Sequence, residues 1–155
     1  MRKTTEELYD RIRELMEGHT DRHNEAEILS ILDKADNAQL NELMLRIDLS
    51  QLISDVDDRK FGPDNRTKLY DQLLGRLAKL SVDVRVALIK ALQKGRTDKQ
   101  EKKVIRDVFL GTFDSSLTAL KNGINAGGDY RDLQQLVHTD IDNNGIRDDI
   151  LTHIE

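Results

Sequence analysis

The chain contains no cysteine and no tryptophan, a single proline, and aromatic residues at only 4% of its 155 positions. Without cysteine there is no disulfide framework, no thiolate zinc site and no thiol nucleophile, and the chain suits a reducing compartment. No apolar run approaches the ~20 residues of a membrane span. The opening Met1-Arg2-Lys3-Thr4-Thr5-Glu6-Glu7 lacks the apolar core of a signal peptide, so a cytoplasmic location is expected. Basic excess is missing too: Lys+Arg 24 stand against Asp+Glu 29, a net charge of −5, which argues against a nucleic-acid partner. No stretch alternates apolar and polar with period two, which argues against strands.

What the sequence has in abundance is charge, 34% of residues, and apolar residues at helical spacing between helix-start signals. Thr4 with Glu7, Asp36 with Gln39 and Asp98 with Glu101 have the capping-box spacing. Asp21, Asp48 or Ser50, Asp64, Ser81, Asp114, Asp129 and Asn144 mark the other expected starts. The fold expected is all-α, in short helices. The core is expected from Ile28, Leu32, Leu40, Leu43, Ile47 and Leu52, then Ile105, Phe109, Leu117, Leu120, Ile124 and Leu136. No carboxylate is expected to lie isolated on an apolar stripe.

The second half repeats the first. Ile12, Leu15, Gly18, Thr20, Asp21, Ile28, Leu40, Leu43 and Ile47 recur 77 positions later as Ile89, Leu92, Gly95, Thr97, Asp98, Ile105, Leu117, Leu120 and Ile124. After an inserted Asn125-Ala126-Gly127-Gly128, the segment from Asp48 aligns with that from Asp132. Asp55-Val56-Asp57 then aligns with Asp140-Ile141-Asp142, and Arg66 with Arg147. The division expected is two tandem five-helix units, 1–79 and 80–155.

Five short helices with a Gly-x-Thr-Asp turn between the first two resemble an annexin repeat. The turns are Met16-Glu17-Gly18-His19-Thr20-Asp21 and Gln93-Lys94-Gly95-Arg96-Thr97-Asp98, with Glu27-Ile28-Leu29-Ser30-Ile31-Leu32 and Asn37-Ala38-Gln39 adding to the likeness. The resemblance implies two tandem annexin-like repeats packed as one compact domain. It also implies a calcium site in each, made of turn carbonyls around Gly18 and Thr20 with Asp57 or Asp58, and around Gly95 and Thr97 with Asp140 or Asp142. The chain departs from the family in having two repeats rather than four and in lacking the second glycine of the turn. Helix capping by Thr20/Asp21 and Thr97/Asp98 accounts for the same residues without a metal.

Other constellations are weaker. Asp140-Ile141-Asp142-Asn143-Asn144-Gly145 matches the first half of an EF-hand loop, but Leu151 stands where that loop needs a bidentate glutamate. His19 and His23 have metal-ligand spacing with no third partner. Arg66 and Arg147 are placed to tie the acidic turns to the fifth helices. Lys94, Arg96, Lys99, Lys102 and Lys103 cluster at one turn, where they suit an anionic membrane surface, or else form a solvated face interleaved with Asp98 and Glu101. No nucleophile elbow, phosphate loop or zinc-protease motif is present. The expected function is therefore a non-enzymatic binding module attached peripherally to anionic phospholipid with calcium assisting. The rival is a protein–protein interaction module within a larger bacterial effector or assembly. Pairing of two chains into a four-repeat homo-oligomer stays open.

Overall fold

Thr4 sets the first helix start. Its hydroxyl accepts from the Glu7 amide while the Glu7 carboxylate accepts from the Thr4 amide, closing the reciprocal box. The computed structural model describes residues 3–17, 22–56, 65–94, 99–125 and 144–154. Among them every regular element is helical and there is no strand, so the fold is all-α. The chain divides into two units, Met1–Leu80 and Ser81–Glu155.

In the first unit, α1 (Thr5–Met16), α2 (Arg22–Lys34), α3 (Asn37–Arg46), α4 (Leu49–Asp55) and α5 (Asn65–Gly75) are followed by a single 3-10 turn, Leu77–Lys79. Asp36 and Gln39 form a second capping box at the start of α3, and Asp48 accepts from the Gln51 amide at the start of α4. Helix α1 packs on α2 and α3, and α2 packs on α5. The side chains between them are the apolar stripes: Ile12 and Leu15, Ile28 and Leu32, Leu40 and Leu43, Leu69 and Leu73 are all buried. Each such side chain contributes about 1.5–3 kcal/mol on leaving water. The fifth-helix stripe stops sooner than its spacing suggests. Gly75 ends α5, so Leu77 falls in the 3-10 turn and is half-buried.

In the second unit, α6 (Val82–Lys94), α7 (Lys99–Leu110), α8 (Asp114–Asn125) and α9 (Asn144–Ile154) are described. Ser81 starts α6 by accepting from the Val84 amide. Helix α6 packs on α7 and α8, and α7 packs on α9. Val82, Lys99 and Asp114, the first residues of α6, α7 and α8, lie 77 positions after Thr5, Arg22 and Asn37. The core is Ile89 and Leu92, Ile105, Val108 and Phe109, Leu120 and Ile124, Ile146 and Ile150.

Two expectations change here. Asp114 begins α8, but at φ 56, in the left-handed region, and the Leu117 amide bonds the carbonyl of Phe113 instead. Phe113, at the position equivalent to the capping Asp36, is 60% exposed. Leu117, in this irregular first turn, is only half-buried, whereas Leu40 beneath a complete capping box is buried. Leu136 and the helix starts expected at Asp21, Asp64, Asp98 and Asp129 lie outside the described residues.

Candidate functional site

The residues expected to hold calcium, Gly18, Thr20, Asp57, Asp58, Gly95, Thr97, Asp140 and Asp142, lie outside the described residues, as do Arg96 and His19. Among the described residues no group of three or more His, Asp or Glu side chains is placed to hold a metal ion. Lys94 ends α6 and Lys99 begins α7. Lys102 on α7 is half-buried and Lys103 is exposed. One turn on, Arg106 bonds Asp107 at 3.1 Å and approaches Asp149 of α9 at 3.9 Å, so its charge is partly answered within the unit.

Each second helix buries a glutamate near its start. Glu25 on α2 is 1% exposed and Glu101 on α7 is 3% exposed. Two carboxylates thus lie on buried helix faces, which the apolar pattern alone did not single out. The signal was present: Glu25 precedes Ile28 by three positions and Glu101 precedes Ile105 by four, which puts each carboxylate on the buried face. The positive end of the helix dipole favours a carboxylate there.

The carboxyl of Asp55, at the end of α4, is pushed above its ordinary value. Burial is the main cause, Asp48 adds to it, and a hydrogen bond with Gln51 opposes it.

The carboxyl ends of α2 and α7 are both closed by arginine. Arg76 donates to the carbonyls of Leu32 at 3.2 Å and Ala35 at 2.8 Å, and to the Asn37 side chain at 2.8 Å. Arg85, only 7% exposed, donates to the Thr112 hydroxyl at 2.8 Å and the Gly111 carbonyl at 3.4 Å. Cations at these positions answer the last carbonyls and the negative dipole end. Burial pushes the Arg85 guanidinium below its ordinary value, yet arginine stays protonated. The Thr112 carbonyl also accepts from His153 Nε2 at 2.8 Å, which assigns that proton to Nε2. The imidazole in turn stands edge-on to the Phe113 ring, centroids 5.2 Å apart.

Described residues of the first unit line clefts at two places. One, of 440 Å³, lies beside α1, α3 and α4 and is lined in part by Tyr9, Met16, Arg46 and Ile47. Arg46 sits 4.1 Å over the Tyr9 ring and bonds Glu6 at 2.6 Å, so its cation is already matched. That ion pair holds the Glu6 carboxyl below its ordinary value. The other cleft, of 430 Å³, lies against α1 and α2 and is lined by Lys3, Leu8, Glu27, Ser30, Ile31, Lys34, Ala35 and Gln39. Its Glu27 is held by Arg11, Nε to Oε2 at 2.5 Å and Nη2 to Oε1 at 3.0 Å, which keeps the carboxyl below its ordinary value. Gln39 fixes the rim by donating to the Lys3 carbonyl at 3.0 Å. These clefts were not legible in the sequence, because each joins residues from separate helices.

Among the described residues no helix is long and apolar enough to cross a membrane. No protein family, curated protein or solved structure matches the chain.

Proposed function

We propose that the chain is a non-enzymatic binding module of two annexin-like repeats. It attaches to anionic phospholipid through the lysines around the start of α7, with calcium assisting weakly at the acidic turns. The observation that carries this reading is the shared register. Three successive helix starts recur at a spacing of 77, and α1 with α2, α1 with α3 and α2 with α5 have counterparts in α6 with α7, α6 with α8 and α7 with α9. That regularity supports a repeat, and the Gly-x-Thr-Asp turns then fall at the same place in each copy. Attraction of a polybasic segment to an anionic leaflet contributes about 1 kcal/mol per lysine or arginine. The net charge of −5 opposes it, so attachment is weak and salt-sensitive. The turn lacks the second glycine that readily adopts positive φ, so calcium affinity is expected around the millimolar range.

Co-sedimentation with phosphatidylserine-containing vesicles, in calcium and in chelator, tests this reading. Attachment in calcium that falls with chelator, with added salt, and with Lys102→Glu plus Lys103→Glu is the expected result. Absence of sedimentation in both buffers removes the membrane reading.

A second reading, an interaction module within a larger bacterial assembly, draws on Phe113. An exposed aromatic ring braced by an anchored imidazole is the type of pre-ordered side chain on which protein interfaces concentrate their energy.

A further inference from the structure

We propose that the cleft against α1 and α2 binds a medium-chain carboxylate, its tail against Leu8, Ile31 and Ala35 and its head group between Lys3 and Lys34.

The charge balance of the cleft points to an anion. Glu27 is held by the two-point contact with Arg11, a guanidinium it shares with Glu14, and Lys3 acts on Glu27 as well. Lys3 and Lys34 both line the cleft and are exposed, and among the described residues neither ammonium has a hydrogen bond or ion pair. The remaining polar lining, Ser30 and Gln39, is neutral. Its charged lining is Lys3 and Lys34 against the one carboxylate of Glu27, so the cleft has a positive balance in a chain whose net charge is −5. Two separate point donors match the two oxygens of a carboxylate. The floor is apolar and incompletely covered, since Leu8 and Ile31 are only half-buried. The volume of 430 Å³ lies in the range of small-molecule clefts, about 300–1,000 Å³, which favours a compact amphiphile over a peptide strand or helix.

At the positions 77 later the second unit buries its side chains. Arg85 stands 77 positions after Leu8, Gly111 after Lys34, and Thr112 after Ala35. There the guanidinium is buried and bonded to Thr112 and Gly111, and Val108, the counterpart of Ile31, is fully buried. The second unit thus supplies its own cation and fills the space with it. The first unit replaces that side chain with leucine, exposes the floor, and moves its cations to the rim. A carboxylate with an apolar chain fits both changes.

The test is titration calorimetry of the full chain with decanoate below micelle formation, with decanol and acetate as controls for head and tail. Saturable decanoate binding is expected, with a dissociation constant on the order of 0.1 mM, and markedly weaker binding of both controls. Lys3→Gln with Lys34→Gln, both exposed, should weaken decanoate binding about two- to fivefold per lysine. Leu8→Arg with Ala35→Thr transplants the plug of the second unit and should abolish it, with circular dichroism checking that the helices persist. If the plugged variant fails to fold, the lysine pair decides. No saturable decanoate binding by the native chain, equal binding of decanol, or unchanged affinity in the lysine pair would overturn the proposal. The site is independent of the membrane reading, so Lys102→Glu plus Lys103→Glu should leave decanoate binding intact.

Discussion

Gly123, near the end of α8, is where a single methyl group is expected to separate packing from propensity. A Cβ at this position would stand 2.7 Å from Val86 Cγ2 and 3.4 Å from Cγ1, across the α6–α8 contact. Val86 is β-branched and helical, so it has essentially one χ1 well and cannot swing aside cheaply. Gly123→Ala must therefore shift one helix against the other, at about 1–3 kcal/mol for an overpacked contact. Against this stands the ~1 kcal/mol gained when alanine replaces glycine in a helix. The net expectation is destabilisation of about 0–2 kcal/mol. The decisive comparison is the background. With Val86→Ala the obstructing methyl groups are gone, so adding Gly123→Ala should then stabilise by about 1 kcal/mol. The sign reverses, and the coupling between the two sites is about 1–3 kcal/mol. Gly75, with nothing within 4 Å of its added Cβ, is the control: Gly75→Ala should not destabilise and should be insensitive to Val86→Ala. Urea unfolding of the four cycle members, and of Gly75→Ala with and without Val86→Ala, measures all of this. If Gly123→Ala stabilises equally in both backgrounds, the close approach of α6 and α8 is wrong.

Three further outcomes follow from the described contacts. Leu43→Ala and Leu120→Ala, each at a fully buried position, should cost roughly 2–5 kcal/mol in urea melts, and Leu117→Ala distinctly less because that side chain is half-buried. Asp114→Gly should stabilise by up to about 1 kcal/mol, since glycine adopts the φ of 56 without strain; a loss there in thermal melts would give the aspartate a role beyond backbone geometry. Acid titration of stability should separate two kinds of carboxyl. Glu27, held below its ordinary value by Arg11, contributes stability above its unfolded pKa that disappears as pH falls through the folded one. Asp55, raised chiefly by burial, has the opposite sign, so Asp55→Asn should stabilise at neutral pH and lose that advantage below the aspartate range.

What could be read from the sequence is what acts locally. Thr4, Asp36, Asp48 and Ser81 were legible as helix starts because each serves an amide three positions away. Ile28, Leu43, Ile105 and Leu120 were legible as core because a 3.6-residue period puts them on one face. The spacing of 77 was legible for the same reason, as recurrence along one dimension. Asp114 misled because its type suits a cap, whereas its backbone adopts the left-handed region and Phe113 takes the first carbonyl bond. The clefts were hidden because the pattern compares like with like. Leu8 against Arg85, Ala35 against Thr112 and Arg46 against Gly123 look like failed matches in an alignment. In space the first two turn an open floor into a plugged one, and the third exchanges a cation over Tyr9 for a bare backbone against Val86. The calcium turns were read from residue order alone, and they stay a matter of residue order.

The arginine clamps also set an order of events during synthesis. Arg76 reaches back 44 and 41 residues to Leu32 and Ala35, so on the ribosome α2 has a complete sequence long before its last carbonyls find their donor. The first unit must wait for nearly its whole length before that end is sealed. In the second unit Arg85 comes 27 residues ahead of Thr112, so the donor is already outside when the carboxyl end of α7 emerges. Because translation adds residues far more slowly than helices form, the second unit has this one donor in place early, yet its Thr112 carbonyl still waits 41 residues for His153, as the Ala35 carbonyl waits for Arg76. Two halves with the same helix pairings therefore both seal the end of their second helix with a residue made last.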